Sequence, residues 1–270
     1  MSQPLLQDTF AYGLSIGGET PRWRLRPVGS LATGDGLVTT GPDGLVVVPT
    51  ATHPDTGDPA FAAQPEPLGD ADHLRWALMA NRTSSSGLPG FDTKRAEGER
   101  PLTVRAELAV RGYGLDRHPY GDELTDPGRD LRVGAGVLIT IDMESGLVLD
   151  FIVTDRCVFA VYERLGFPGT EHAAFSYAVP VADRAPGHHH RLAISYDADA
   201  GVARWHLEER EVLAVDRLGL RALDDRFLKR DNGKPEAPAA PRQLTCGVGL
   251  FTDQVWGQGF RLSVRRLEVR

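Results

Sequence analysis

The chain has 270 residues, 41% of them hydrophobic, with 30 glycines, 19 prolines and a formal net charge of −7. That acidity argues against nucleic acid or an acidic membrane surface as the main partner. No run approaches the roughly 20 apolar residues of a membrane span, and MSQPLLQDTFAYGL lacks a basic start followed by a long apolar stretch, so the expected address is cytoplasmic, with no membrane contact.

Near the N-terminus, Asp8-Thr9-Phe10 is followed by a Gly-rich stretch and Trp23. LVTT at 37–40 and LVVVPT at 45–50 then flank Gly41-Pro42-Asp43-Gly44, which reads as strand, turn and strand. Residues 50–70 read as a long surface loop. DADHLRWALMAN, 70–81, has two readings. A short helix capped by Asp70 would carry Leu74, Trp76, Ala77 and Leu78. A strand would place His73, Arg75, Ala77 and Met79 on one side, and the β-rich surroundings favour it. Residues 81–90 form a loop. LTVRAELAVRG, 102–112, is a clear strand with Val104, Ala106, Leu108 and Val110 inward and Thr103, Arg105, Glu107 and Ala109 outward. Residues 113–132 are loop, with His118, Tyr120 and Asp122 close together.

Residues 134–167 read as three strands joined by tight turns. A two-residue loop at Asp155-Arg156 sets Thr154 opposite Cys157, Ile152 opposite Phe159 and Asp150 opposite Val161. Asp150 and Glu163 then share a face as diagonal neighbours. If Met143 to Gly146 form a four-residue loop, Val137, Ile139 and Ile141 share that face too. Leu149, Phe151, Val153, Val158, Ala160 and Tyr162 occupy the other. Two acids in so apolar a setting need water, partners or a function. The plain alternative pairs Glu163 with Arg164 or Arg156.

FSYAVPV, 175–181, is a strand whose Pro180 implies an edge or a strand end. Residues 191–210 form a hairpin around Asp-Ala-Asp-Ala-Gly, and VLAVD continues it. KPEAPAAPRQ, 234–243, is an exposed loop. LTCGVGLF and GFRLSVRRLEVR close the chain, and the alternation slips at Arg265-Arg266, which predicts a β-bulge. With little helix, no heptads and no repeat, the expected fold is an all-β antiparallel sandwich forming one domain over residues 1–270. Cys157 and Cys246, in apolar runs and without a secretory signal, read as reduced core residues.

The order of elements resembles the concanavalin A-like jelly roll of legume-type lectins, laminin G modules and β-glucanases. HRLAISYDADAGVARWHLEEREVLAVD carries the likeness best, with a His before a strand, Tyr-Asp entering the turn and a Trp in the return strand. Asp8-Thr9-Phe10 with Trp23, and the two closing strands, resemble the group's first and last strands. YERLGF, DFIVTD and RHPYG look more like an uncharacterised bacterial family within the group. The resemblance implies a two-sheet jelly roll with a ligand groove on the concave face of the larger sheet. It supplies no catalytic residue: the Glu-x-Asp-x-x-Glu strand of the glucanases is absent, and lectin calcium and sugar ligands are not recognisable.

The catalytic candidates are therefore Glu107, Asp150 and Glu163. Two carboxyls on one face can separate their pKa values and act as acid and base. Arg105, Trp76, His118, Tyr120 and Tyr162 are the candidate ligand contacts, and Trp76, Tyr113, Tyr120 or Trp256 would form a sugar-stacking platform. His188-His189-His190 suits a metal poorly, because adjacent strand residues point to opposite faces and no third ligand has fixed spacing. No phosphate loop, dinucleotide fingerprint or paired Cys-x-x-Cys is present. The expectation is a cofactor-independent enzyme, of cyclase, isomerase or lyase type, acting on a small organic molecule by acid–base chemistry without metal. The alternatives are a carbohydrate-binding protein or a glycoside-active enzyme with a non-standard carboxylate pair. The partner is accordingly a small-molecule or carbohydrate ligand, and homo-oligomerisation stays open.

Overall fold

The computed structural model describes residues 3–62, 73–94 and 101–270. In chain order its strands are β1 (Leu6–Asp8), β2 (Trp23–Leu25), β3 (Leu37–Gly41), β4 (Gly44–Val48), β5 (Ala51–Thr52), β6 (Pro59–Ala60), β7 (Leu74–Ala80), β8 (Phe91–Asp92) and β9 (Leu102–Tyr113). There follow β10 (Ala135–Asp142), β11 (Leu147–Val153), β12 (Cys157–Arg164), β13 (Phe175–Asp183) and β14 (His190–Asp197). The last are β15 (Val202–Leu207), β16 (Arg210–Val215), β17 (Leu228–Asp231), β18 (Gln243–Phe251) and β19 (Gly259–Val269). The 70–81 segment is thus strand, not helix, apart from its residues up to 72, which lie outside the described ones.

An eight-stranded antiparallel sheet has the order β16-β15-β14-β9-β19-β4-β3, with β1 also on β19. A nine-stranded antiparallel sheet has the order β17-β13-β12-β11-β10-β18-β7-β2, with β8 on β18. Both orders interleave early and late strands, as expected of the jelly-roll sandwich. The alternating side chains of each sheet meet in one core. From the eight-stranded sheet come Val104, Leu108, Ile194, Trp205, Leu262 and Leu267; from the other, Trp76, Leu78, Phe151, Tyr162, Phe175 and Val248. At the chain start Asp8 accepts the Trp23 indole N–H at 2.8 Å and the Phe10 N–H at 2.7 Å, and the Phe10 and Trp23 rings pack 5.7 Å apart.

Turn chemistry holds the central meander in the expected register. Asp142 pairs with Leu147 across residues 143–146, and Val153 pairs with Val158 across the 154–157 turn. Pro180 lies beyond Tyr177, the last residue of β13 that pairs with β17, where the strand has a free edge. In β19 the register shifts between Val264 and Arg266. The inward set accordingly changes from Leu262 and Val264 to Leu267 and Val269, so Arg265 and Arg266 both face solvent.

β7 departs from simple alternation. Trp76 pairs with Leu250 and Leu74 with Phe251, leaving Arg75 as an unmatched residue. Arg75 therefore leaves the face that alternation assigns to it with Ala77 and Met79. Its Nη2 reaches Asp35 at 2.5 Å, both side chains fully buried, and the Ala62 carbonyl at 2.8 Å. Asp35 also accepts the backbone N–H groups of Thr50 (3.0 Å) and Ala62 (2.8 Å). The buried carboxylate is thus hydrogen-bonded from several sides, which burial of a charge demands.

Candidate functional site

The sequence candidates fall on two opposite outer faces of the sandwich. Asp150 and Glu163 stand on the outer face of the nine-stranded sheet, among Val137, Ile139, Val148, Val161 and Ala178. Glu107 and Arg105 stand on the outer face of the eight-stranded sheet. Both sheets and the core lie between the two sets, and stacked sheets are about 10 Å apart before side chains are counted. No single pocket can bring Glu107 to Asp150 or Glu163.

Asp150 is built into its ladder. Pairing of β10 with β11 is interrupted between Leu138↔Phe151 and Ile141↔Val148. Within that gap an Asp150 carboxylate oxygen takes the Thr140 N–H at 2.7 Å, while the Asp150 carbonyl accepts the indole N–H of Trp205, from the other sheet, at 2.9 Å. The side chain substitutes for a backbone acceptor that has turned to the core. Burial drives the Asp150 carboxyl well above its usual range; the Thr140 bond opposes this and the nearby Glu163 charge adds to it. Burial likewise lifts Glu163 to about 7, against the pull of Arg230 and the Ser176 hydroxyl. Its partners are thus Ser176 and Arg230. Arg164 instead points to the inner side, donating to the carbonyls of Gly219 (3.2 Å) and Ala237, and Arg156 lies 3.7 Å from Asp126.

Three aromatic candidates cannot present a free ring face to a ligand. Trp76 is 0% exposed between the sheets. Tyr162 is on the inner face, where its hydroxyl donates to the Leu220 carbonyl at 2.9 Å and accepts the Gly219 N–H at 2.7 Å. Tyr120 is half-buried beneath the Arg132 guanidinium, 4.4 Å from its centroid, and packs on His118 at 6.0 Å and Trp256 at 5.9 Å. Of the rings expected to offer a stacking platform, Trp76, Tyr113, Tyr120 or Trp256, Trp76 is core, Tyr120 and Trp256 pack on each other, and Tyr113 lies 5.6 Å from the Arg111 guanidinium. Both cysteines are buried free thiols. Cys246 is in the central core and Cys157 in the apolar cluster outside the nine-stranded sheet. Burial pushes Cys246 up to about 12 and raises Cys157 as well, so neither is a poised thiolate.

The outer face of the eight-stranded sheet carries an open trough of about 840 Å³. It follows from a row pattern. β14 runs down the middle and contributes the short Ala193 and Ser195 to the floor beside Thr103 of β9. Taller side chains stand on either side: Arg204 and His206 on β15, Arg105 and Glu107 on β9, and Arg266, Glu268 and Arg270 at the end of the chain. The bulge in β19 assists, since it turns Arg266 outward beside Glu107. Desolvation, with Arg105 and Arg204 nearby, holds His206 below the ordinary histidine value. A smaller recess continues the trough past Glu107 to His188, His189 and Arg265. This trough lies on the smaller sheet, whereas the resemblance implied a groove on the larger one. On the larger sheet the described outer-face residues form apolar clusters, Cys157, Phe159, Val161 and Ala178 in one and Ala77, Val137 and Ile139 in the other, with Asp150 and Glu163 among them.

Most charges around the trough are paired. Glu268 is held by Arg266 and Arg270, and Glu107 by Arg265 at 2.7 Å. Arg191 reaches Glu208 at 3.0 Å and Glu209 at 3.1 Å, and Arg204 reaches Glu211 at 3.1 Å. Arg105, exposed and set between Ala193 and Glu268 on the neighbouring strands, makes no ion pair among the described residues. Sequence alone marks Arg105 and Glu107; it misses Arg204, His206 and Arg270, because only the order β15-β14-β9-β19 brings them to one trough.

A two-sheet antiparallel sandwich with this interleaved strand order is a concanavalin A-like jelly roll. The chain belongs to a family described as being of unknown function, DUF6081, which it matches over residues 7–270. A protein of Acanthamoeba polyphaga mimivirus, described as uncharacterized protein L829, is 25% identical across 46% of this chain and 41% of its own length. The chain therefore spans less than half of that relative. Among solved structures, a Bacteroides ovatus mixed-linkage glucan GH16 protein, in complex with a G4G4G3G product, superposes with a TM-score of 0.51 at 10% identity, covering 98% of this chain and 100% of its own. An endo-1,3-β-glucanase from Streptomyces sioyaensis gives the same TM-score and identity, over 99% and 95%. At such identity the likeness establishes the fold.

Proposed function

We propose that this chain is a carbohydrate-binding protein whose site is the trough on the outer face of the eight-stranded sheet. The trough itself carries the reading: an open groove of about 840 Å³ with a low floor and walls of hydrogen-bonding side chains. Ser195, Thr103, His206 and the arginines suit the hydroxyl-rich edge of a sugar chain, and an open groove admits an oligomer. The mixed-linkage glucan GH16 protein whose fold it shares is described in complex with a G4G4G3G product, which agrees with this reading by analogy. An acid–base enzyme for a small metabolite has less support, because Glu107 lies on a different face from Asp150 and Glu163. The reading is tested by screening the intact protein against neutral and acidic oligosaccharides by thermal shift. A raised midpoint with an oligosaccharide that disappears in Ser195→Trp supports it; a shift with small metabolites alone overturns it.

One observation favours a second reading, a glycoside-active protein. Asp150 and Glu163 are diagonal neighbours on one face, and burial holds both above the ordinary carboxylate range, which would let one keep its proton as a general acid. Release of reducing sugar that Asp150→Asn abolishes would establish it.

A further inference from the structure

Resting on the carbohydrate-binding reading, we infer that the trough selects a carboxylated oligosaccharide, of uronate type, and that Arg105 is its central anion contact. Three observations converge. First, among the described residues the lining holds five arginines, Arg105, Arg191, Arg204, Arg266 and Arg270, against three glutamates, in a chain whose formal net charge is −7. With Glu208 and Glu211, which pair with Arg191 and Arg204, the face is close to charge-balanced in a chain that is acidic as a whole. Second, the local glutamates are already committed to other arginines, Glu268 to Arg266 and Arg270 and Glu107 to Arg265. Arg105 is the lining arginine left without a carboxylate among the described residues, and its neighbour Ala193 is too short to cover it. Third, no Trp, Tyr or Phe is among the lining residues, so recognition there does not use ring stacking.

A guanidinium fork matches a planar carboxylate with two parallel hydrogen bonds, and the match is strongest where one partner lacks an internal counter-charge. A neutral glucan offers Arg105 hydroxyl oxygens but no charge to complement its guanidinium. A densely charged phosphate or sulfate polymer would meet Glu107, Glu209 and Glu268 in the same groove. Singly charged carboxylates spaced along a hydroxylated chain suit a wall where guanidinium and carboxylate groups alternate.

The test is isothermal titration of the intact protein with an oligouronate, the same oligomer after its carboxyls are reduced to alcohols, a sulfated oligosaccharide and inorganic phosphate. Saturable binding of the oligouronate is expected, at least 10-fold weaker for the reduced oligomer. Arg105→Ala should lose at least 10-fold for the oligouronate with an unchanged circular dichroism spectrum, while Arg105→Lys recovers part of the loss. If the reduced oligomer binds as well as the oligouronate, the choice of an acidic ligand is overturned while carbohydrate binding stands. Equal or tighter binding of the sulfated oligosaccharide or phosphate overturns the choice of carboxylate. If no glycan binds, the carbohydrate reading falls and the inference falls with it.

Discussion

Glu163 holds its proton more tightly in the folded chain than an exposed glutamate does, with a folded value of about 7. The sign follows directly: a raised folded pKa stabilises the fold at pH values below the unfolded pKa, and that stability is lost as pH rises through about 7. Glu163→Gln, which stays neutral, should therefore gain on the wild type between pH 5 and pH 8, by on the order of 3 kcal/mol at most. Urea unfolding at the two pH values checks this; a pH-independent difference would contradict it. Asp150 acts in the same direction. Its carbonyl bond to Trp205 gives a separate expectation: Trp205→Phe leaves a buried carbonyl unsatisfied and should cost about 1–3 kcal/mol, measured by the shift in unfolding midpoint. At this scale the sequence showed that Asp150 and Glu163 share a face. It could not show that Asp150 completes a backbone ladder, because that depends on an indole arriving from the other sheet.

Strands were legible wherever a strict period of two met clear turn residues. β9, β11, β12 and β14 meet both conditions, and even the β19 bulge announced itself as a slip in alternation at Arg265-Arg266. The bulge in β7 gave no such sign, since His73, Arg75, Ala77 and Met79 alternate without a break. Asp35, between Gly34 and Gly36, belongs to no motif in the sequence, and only the fold shows that it receives Arg75 in a fully buried pair. Removing one partner strands the other, so Asp35→Ala should destabilise by about 3–5 kcal/mol. The double variant Asp35→Ala with Arg75→Met should recover much of that loss. Denaturant unfolding of the two variants decides it; equal loss in both would show that the pair's charges are not what matters.

For the whole molecule, the jelly roll was legible from the order of elements, but the placement of its groove was not. The trough is assembled from residues 103–107, 191–195, 204–206 and 266–270, and these meet only because β15, β14, β9 and β19 lie side by side. Composition misled here, since a net acidic chain conceals an arginine-rich face. Counter-charge at that face should make ligand binding weaken as salt rises, and the dependence should be reduced in Arg105→Ala. The most direct measurement is calorimetric titration of wild type and Ser195→Trp with the oligosaccharide that shifts the wild-type midpoint most. Ser195 is on the floor and its side chain faces outward, so an indole there fills the trough without entering the core. Saturable binding to the wild type, lost in Ser195→Trp with the unfolding midpoint of the free protein unchanged, is the expected result. Undiminished binding to Ser195→Trp would place the carbohydrate site elsewhere and contradict the assignment.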